Sequence, residues 1–169
     1  ADSEQGDSSE LLEKLQSYND FSQGKSTSVI DLSSLAELQR NKSEASLLRN
    51  VETIVSKIEE FSESDQTAIR HCLETIIGGQ PLDLKRFSSD EGTIHSLESD
   101  EELDDYAYRV AGSVGEFWTR MSLDHIFDSK DEKMEEELFE KGIRFGKALQ
   151  MINILRDIPA DLSLGRCYI

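Results

Sequence analysis

The chain has 169 residues and a mass of 19.1 kDa, which is one domain's worth of protein and enough to bury a core. Its 18 basic and 35 acidic residues give a formal charge of −17 and a pI near 4.5, so a nucleic-acid binder is excluded: nothing here neutralises phosphates in bulk. With 2 Pro, 10 Gly, 37% hydrophobic and 31% charged residues, the sequence is neither low-complexity nor a disordered acidic tail, but a very acidic chain able to fold.

Leu11, Leu12 and Leu15 mark a short amphipathic helix behind the cap candidates Ser8 and Ser9. Residues 19–30, NDFSQGKSTSVI, read as a loop, and Asp31 as the N-cap of a helix carrying Leu35 and Leu38. Leu47, Leu48, Val51, Ile54, Val55, Ile58 and Phe61 follow the spacing of one amphipathic helix. Ser62 or Ser64 caps another, through Ala68, Ile69, Cys72, Leu73, Ile76 and Ile77, with Gly78 and Gly79 as its stop or kink. Residues 88–99 are polar, contain glycine and read as a loop. Asp90 to Asp105 hold eight acidic residues and no Lys or Arg, a solvated surface. Ser99 followed by Glu102 fits a capping box that opens a long helix to about Phe127. Asp128 to Asp131 read as a turn. The last long helix carries Met134, Leu138, Ile143, Phe145, Ala148, Leu149, Ile152 and Leu155, with acidic first turns, the sign favoured by the helix dipole. No strand-rich stretch stands out, and an all-α antiparallel bundle is expected.

Cys72 and Cys167 lie far apart and match no metal spacing. Free thiols, a reducing compartment and a cytoplasmic location are therefore expected. No apolar run approaches the ~20 residues that span a bilayer. The N-terminus, ADSEQGDSSE, has no Met and no basic or apolar region of a signal peptide, and GRCYI closes the chain without a polar tail. Both ends read as cuts through a longer chain.

Two constellations carry candidate chemistry. Gln150, Asn153, Asp157 and Asp161 are spaced by 3, 4 and 4 residues and so share a helix face. Two amides and two carboxylates on an otherwise apolar helix suit a hard cation such as Mg²⁺, which takes one or two carboxylates together with phosphate oxygens and water. The other reading is an exposed polar face near a helix end, with Arg156 neutralising Asp157 or a neighbour. The second constellation places Ala111, Gly112 and Gly115 within a helix that begins near Tyr106 and passes Val110. Glycine inside a helix costs roughly 1 kcal/mol relative to Ala, so something must approach this backbone closely: another helix, or an elongated apolar ligand.

DDYAYRVAGSVGEFWTRM (104–121) and GKALQMINILRDIPADLSLGRCYI (146–169) together resemble the squalene/phytoene synthase family, the head-to-head trans-isoprenyl diphosphate synthases. GGQPLDLKRF (78–87) resembles the segment that precedes the family's tyrosine motif. The resemblance is specific from about residue 70 onward and weak before it. It implies a single helical prenyltransferase domain over 1–169, with a central cavity that takes two allylic prenyl diphosphates and Mg²⁺ held by two aspartate motifs.

The resemblance also implies roles for individual residues. Asp157 and Asp161 match the second aspartate motif, Asn153 a metal ligand and Gln150 a polar contact near the diphosphates. Tyr106 matches the active-site tyrosine, Val110, Ala111 and Gly115 a channel for a prenyl tail, and Arg166 a diphosphate contact. Asp2 falls where the last aspartate of a truncated first motif would stand, as a further metal ligand. The implied reaction condenses two C15 or C20 diphosphates through a cyclopropyl intermediate to a squalene-, dehydrosqualene- or phytoene-type product. NADPH enters only for squalene, and peripheral contact with a membrane surface accompanies release of an apolar product. Pro159, between the two aspartates, clashes with the carbonyl of Leu155 in a regular helix, so either a kink there that re-aims Asp161 or simple helix termination shortly after the motif is expected. The alternative function is a non-catalytic or degenerate helical scaffold or lipid carrier of the same fold.

Overall fold

The computed structural model describes residues 8–27, 31–87, 93–127 and 131–169. Asp2 lies outside the described residues, as does the expected turn at 128–130. Helices α1 (Ser8–Ser22), α2 (Ser33–Leu38), α3 (Lys42–Arg49), α4 (Val51–Ser56), α5 (Glu63–Arg86), α6 (Asp100–Ala107), α7 (Ser113–His125) and α8 (Glu132–Ser163) carry most of the chain. A 3₁₀ turn follows α4, and a π-helical turn joins α6 to α7. The chain packs as two compact units, one up to Glu74 and one from Thr75, with α5 running through the boundary.

In the first unit, α1 continues into the segment expected to be a loop and ends at Ser22. The buried Ser22 hydroxyl donates to the Asn19 carbonyl (2.8 Å), and Gly24 turns the chain at φ +70°. The Asp31 carboxylate accepts from Ser33 N–H, but Leu32 holds the N-cap position of α2. The single helix expected from Leu47 to Phe61 is broken. At Asn50 the side chain donates to the Ser46 carbonyl (2.8 Å) and the backbone leaves helical geometry (ψ 9°), a local side-chain bond competing with the helix ladder. The apolar stripe is split in consequence: Val55 and Ile58 are buried, while Leu47 and Phe61 stay 58% and 52% exposed.

Ser62 starts α5 by accepting from Asp65 N–H (3.2 Å). Gly78 and Gly79 neither stop nor end this helix, which runs on through Pro81 to Arg86. Their use is spatial. A Cβ on Gly79 would sit 3.3 Å from the Cβ of Arg109, whose side chain crosses α5 there.

In the second unit, Ser99 accepts from Glu102 N–H (3.3 Å) as the capping box requires, and the Glu102 carboxylate accepts from the Glu98 N–H (2.7 Å). The long helix from Asp100 is interrupted by the π turn Tyr108–Gly112, where Ser113 N–H reaches the carbonyl of Tyr108, five residues back. Asp131 caps α8 through Lys133 and Met134 N–H. Pro159 sits inside α8, which continues four residues beyond it to Ser163. The expected loop at 88–99 contributes strand β1 (His95–Ser96), which pairs in parallel with β2 (Arg166–Cys167). His95 N–H donates to the Gly165 carbonyl (2.8 Å) and Leu97 N–H to that of Cys167 (3.1 Å). Gly165 is at φ +74°, where a side chain is strained. Cys72 and Cys167 are not joined in a disulfide, and no helix of the described residues is long and apolar enough to cross a membrane.

Candidate functional site

Helices α7 and α8 run antiparallel and cross at backbone contact. A Cβ on Gly115 would lie 2.1 Å from the Gly142 carbonyl oxygen, and one on Gly146 would lie 2.1 Å from that of Ala111. The close approach expected at Ala111 and Gly115 is therefore made by another helix. Its partners on α8, Gly142 and Gly146, are spaced i, i+4 like Ala111 and Gly115, and that reciprocal pattern was the signal in the sequence. Small residues facing each other let two backbones approach where any side chain would hold them apart. The π turn sits at this crossing, since Ala111 belongs to it.

Beside the crossing lies a groove of about 850 Å³, a volume that suits a medium-sized organic ligand. Val110, Ala111 and Gly115 line one wall, and Leu138, Gly142, Phe145 and Leu149 the other. Trp118, Leu123 and Phe127 stand toward one end, and Gln150 and Asn153 at the Val110 end. The groove is thus mostly apolar, with Thr119, Ser122 and Lys141 among its walls and amides at one end.

Those amides connect to the tyrosine. Gln150 Nε2 donates to Tyr106 Oη (3.5 Å), and Asn153 Nδ2 donates to Gln150 Oε1 (3.5 Å). The Tyr106 ring stacks on that of Tyr168 (centroids 4.6 Å apart, planes 30° apart), and Tyr168 packs on Phe87 at 5.0 Å. Burial, then the neighbouring Tyr168 hydroxyl, then the negative charges of Asp83 and Asp161 push the Tyr106 phenol far above its ordinary range. Tyr106 therefore keeps its proton across the physiological range. Tyr168 is only 8% exposed and is likewise raised by burial.

The second aspartate motif divides. Asp161 lies near enough to bear on both phenols. Asp157 faces its neighbour instead: Arg156 donates to both carboxylate oxygens at 2.7 and 2.5 Å. That hydrogen-bonded guanidinium holds the Asp157 carboxyl below the usual carboxylate range. Among the described residues, no group of three or more His, Cys, Asp or Glu side chains is arranged to hold a metal ion. Arg166 on β2 has its guanidinium 6.0 Å from the Phe87 ring centroid.

Two residues at this end were not singled out from the sequence. Asp83 is a carboxylate that burial raises to about 6 against the opposing pull of Arg86 and Arg166. Arg86 lies among three carboxylates: Asp83 at 4.0 Å, Glu102 at 3.6 Å and Asp105 at 3.7 Å. Both belong to the 78–87 segment that the sequence marked only as a whole.

The squalene/phytoene synthase family pattern matches residues 7–169, and the chain belongs to that family. A bifunctional lycopene cyclase/phytoene synthase of Gibberella fujikuroi is 37% identical over 97 residues, covering 53% of this chain and 17% of that protein. One of Neurospora crassa is 36% identical over 75 residues, 44% of this chain and 12% of the relative. One of Podospora anserina is 27% identical over 122 residues, 66% of this chain and 21% of the relative. The chain thus spans about a fifth or less of the length of these curated relatives. No solved structure matches it significantly.

Proposed function

We propose that the chain forms part of a Mg²⁺-dependent prenyltransferase that condenses two allylic prenyl diphosphates head to head and releases diphosphate. What supports this reading is the course of α8. The apolar groove ends at Gln150 and Asn153 beside Tyr106, and the same helix continues to Asp157 and Asp161. An apolar slot that opens onto oxygen donors fits a molecule with a long hydrocarbon tail and a polyanionic head.

The donor set fits Mg²⁺ in part. Two carboxylates one turn apart and the Asn153 amide suit an ion that completes its shell with phosphate oxygens and water, and fall short of a closed protein cage. Asn153, Asp157 and Asp161 would hold the ion here, with Asp2 assigned to the first motif by the resemblance alone. When bound, Mg²⁺ supplies positive charge to the leaving diphosphate. Opening the Arg156–Asp157 pair costs little because it is exposed, and the freed guanidinium becomes a further diphosphate donor. Arg166 adds a second positive charge.

The remaining work falls to the chain's own groups. The groove walls, including Val110, Ala111 and Gly115, bind the tail and keep water from an allylic cation. Gln150 orients the Tyr106 hydroxyl by donating to it. Tyr106, holding its proton, presents a π face and a phenol to the reacting carbons. The relatives named as phytoene synthases favour the C20 diphosphate and a phytoene-type product, with no call for NADPH.

The test is incubation of the protein with farnesyl and with geranylgeranyl diphosphate, with and without Mg²⁺, and product identification by mass spectrometry. A C40 hydrocarbon formed only with Mg²⁺ supports the reading. Tight binding of both diphosphates without any diphosphate release would support the lipid-carrier alternative.

A further inference from the structure

We propose that Arg86 is a positioning residue for Tyr106, fixing the tyrosine through Asp105 and through the Phe87–Tyr168 stack; the inference rests on the function proposed above. Arg86 stands on the last turn of α5, with its side chain only 18% exposed. Burying a guanidinium is costly unless carboxylates surround it, and here Asp83, Glu102 and Asp105 do so at 3.6–4.0 Å. Only Asp83 shares its helix, while Glu102 and Asp105 lie on α6. The planar fork of arginine can reach carboxylates in several directions at once, which a lysine ammonium cannot do from one position.

Asp105 is gripped from the other side as well. Arg109 Nε donates to both its oxygens at 2.9 Å, and the Arg109 stem lies against Gly79 of α5. Asp105 is thus held between two guanidinium groups, and the next residue in the chain is Tyr106. The residue after Arg86 is Phe87, on which Tyr168 packs, and Tyr168 stacks on Tyr106. Two routes therefore lead from Arg86 to the same phenol, one through backbone adjacency on α6 and one through ring contacts. Arg86 touches no part of the groove, so its effect on a reaction there must pass through Tyr106.

The variant that tests this is Arg86→Lys, which keeps the positive charge among the three carboxylates and removes the fork. A misplaced reactive group typically costs up to about 10²-fold in rate. We expect kcat to fall about 10- to 100-fold with KM for the prenyl diphosphate little changed, and the near-UV circular dichroism of the stacked tyrosines to weaken while far-UV helicity is retained. In a Tyr106→Ala background the same substitution should lower kcat no further, because the group that Arg86 positions is gone. An additive loss in the double variant overturns the proposal. So does a rise in KM alone, or an unchanged near-UV spectrum. Should Arg86→Lys fail to fold, Asp105→Asn is judged by the same readings. Should the wild-type protein turn over no prenyl diphosphate, the proposed function fails, and the near-UV spectrum still decides whether Arg86 fixes the tyrosine pair.

Discussion

The carboxylates around Arg86 and the carboxylate of Asp157 are held in opposite ways. Asp83, Glu102 and Asp105 are gathered around the part-buried Arg86, with Arg109 closing on Asp105. Asp157 stands on an exposed stretch of α8 and is bound by its own neighbour, Arg156. The first arrangement cannot exchange partners without leaving a charge in low dielectric uncompensated. The second can, because water replaces the arginine at little cost. The difference separates carboxylates locked into the packing from one whose partner water can replace.

The largest expected effect breaks the enclosed set. Arg86→Leu should cost about 3 kcal/mol of stability in chemical denaturation, since three carboxylates lose their common counter-charge. Asp157→Asn should leave the denaturation midpoint within error, and equal losses in the two variants would erase the distinction.

A somewhat smaller effect sharpens the comparison by testing the scaffold that carries both sets. Gly146→Ala drives a methyl to 2.1 Å from the Ala111 carbonyl oxygen. Backbone rather than a flexible side chain must yield, so a loss of about 2 kcal/mol is expected, as for other overpacked cores. A stable Gly146→Ala protein would mean that α7 and α8 do not cross at this residue.

The smallest effect is one of pH. Burial holds the Asp83 carboxyl up at about 6, above its ordinary 3.8, so the folded chain binds this proton more tightly than the unfolded one. The stability it contributes is full below the ordinary value and is lost as pH rises through the folded one. Asp83→Asn keeps a neutral group, so its melting temperature should gain on wild type as pH rises from about 4 to about 6.5 and level off above that. A gap that stays constant over that interval would place Asp83 in an exposed or fully paired setting.

What the sequence disclosed follows from how local each feature is. The caps at Ser62 and Ser99 depend on side-chain bonds within a turn, and each is found where the sequence puts it. The helical character of α8 is carried by a long periodic run. Asn50 defeated the reading of one continuous helix because its side-chain bond to Ser46 outweighs the apolar spacing around it. Intrinsic propensity alone makes Gly78 and Gly79 a stop or kink; their partner Arg109, thirty residues on from Gly79, packs against the space that they leave. The π turn has no period of its own to detect.

Val110, Ala111, Gly115, Gln150 and Asn153 line one groove; that the two segments share a site is implied by the family resemblance, since spacing along either helix says nothing of the other. The pairing of Asp157 with Arg156 was one of two readings open from the sequence, because spacing cannot say which way a side chain at an exposed turn points. Asp83 and Arg86 escaped notice because their meaning is non-local. It arises only when the end of α5 meets α6.

The account stands most directly on whether the exposed face of α8 binds metal for catalysis. The measurement is Mg²⁺-dependent diphosphate release from geranylgeranyl diphosphate by wild type and by Asp157→Asn, alongside far-UV circular dichroism of both. The account predicts release by wild type, none above background by the variant, and identical helical content. Release by Asp157→Asn at the wild-type rate would contradict it, and would leave Asp157 as no more than the partner of Arg156.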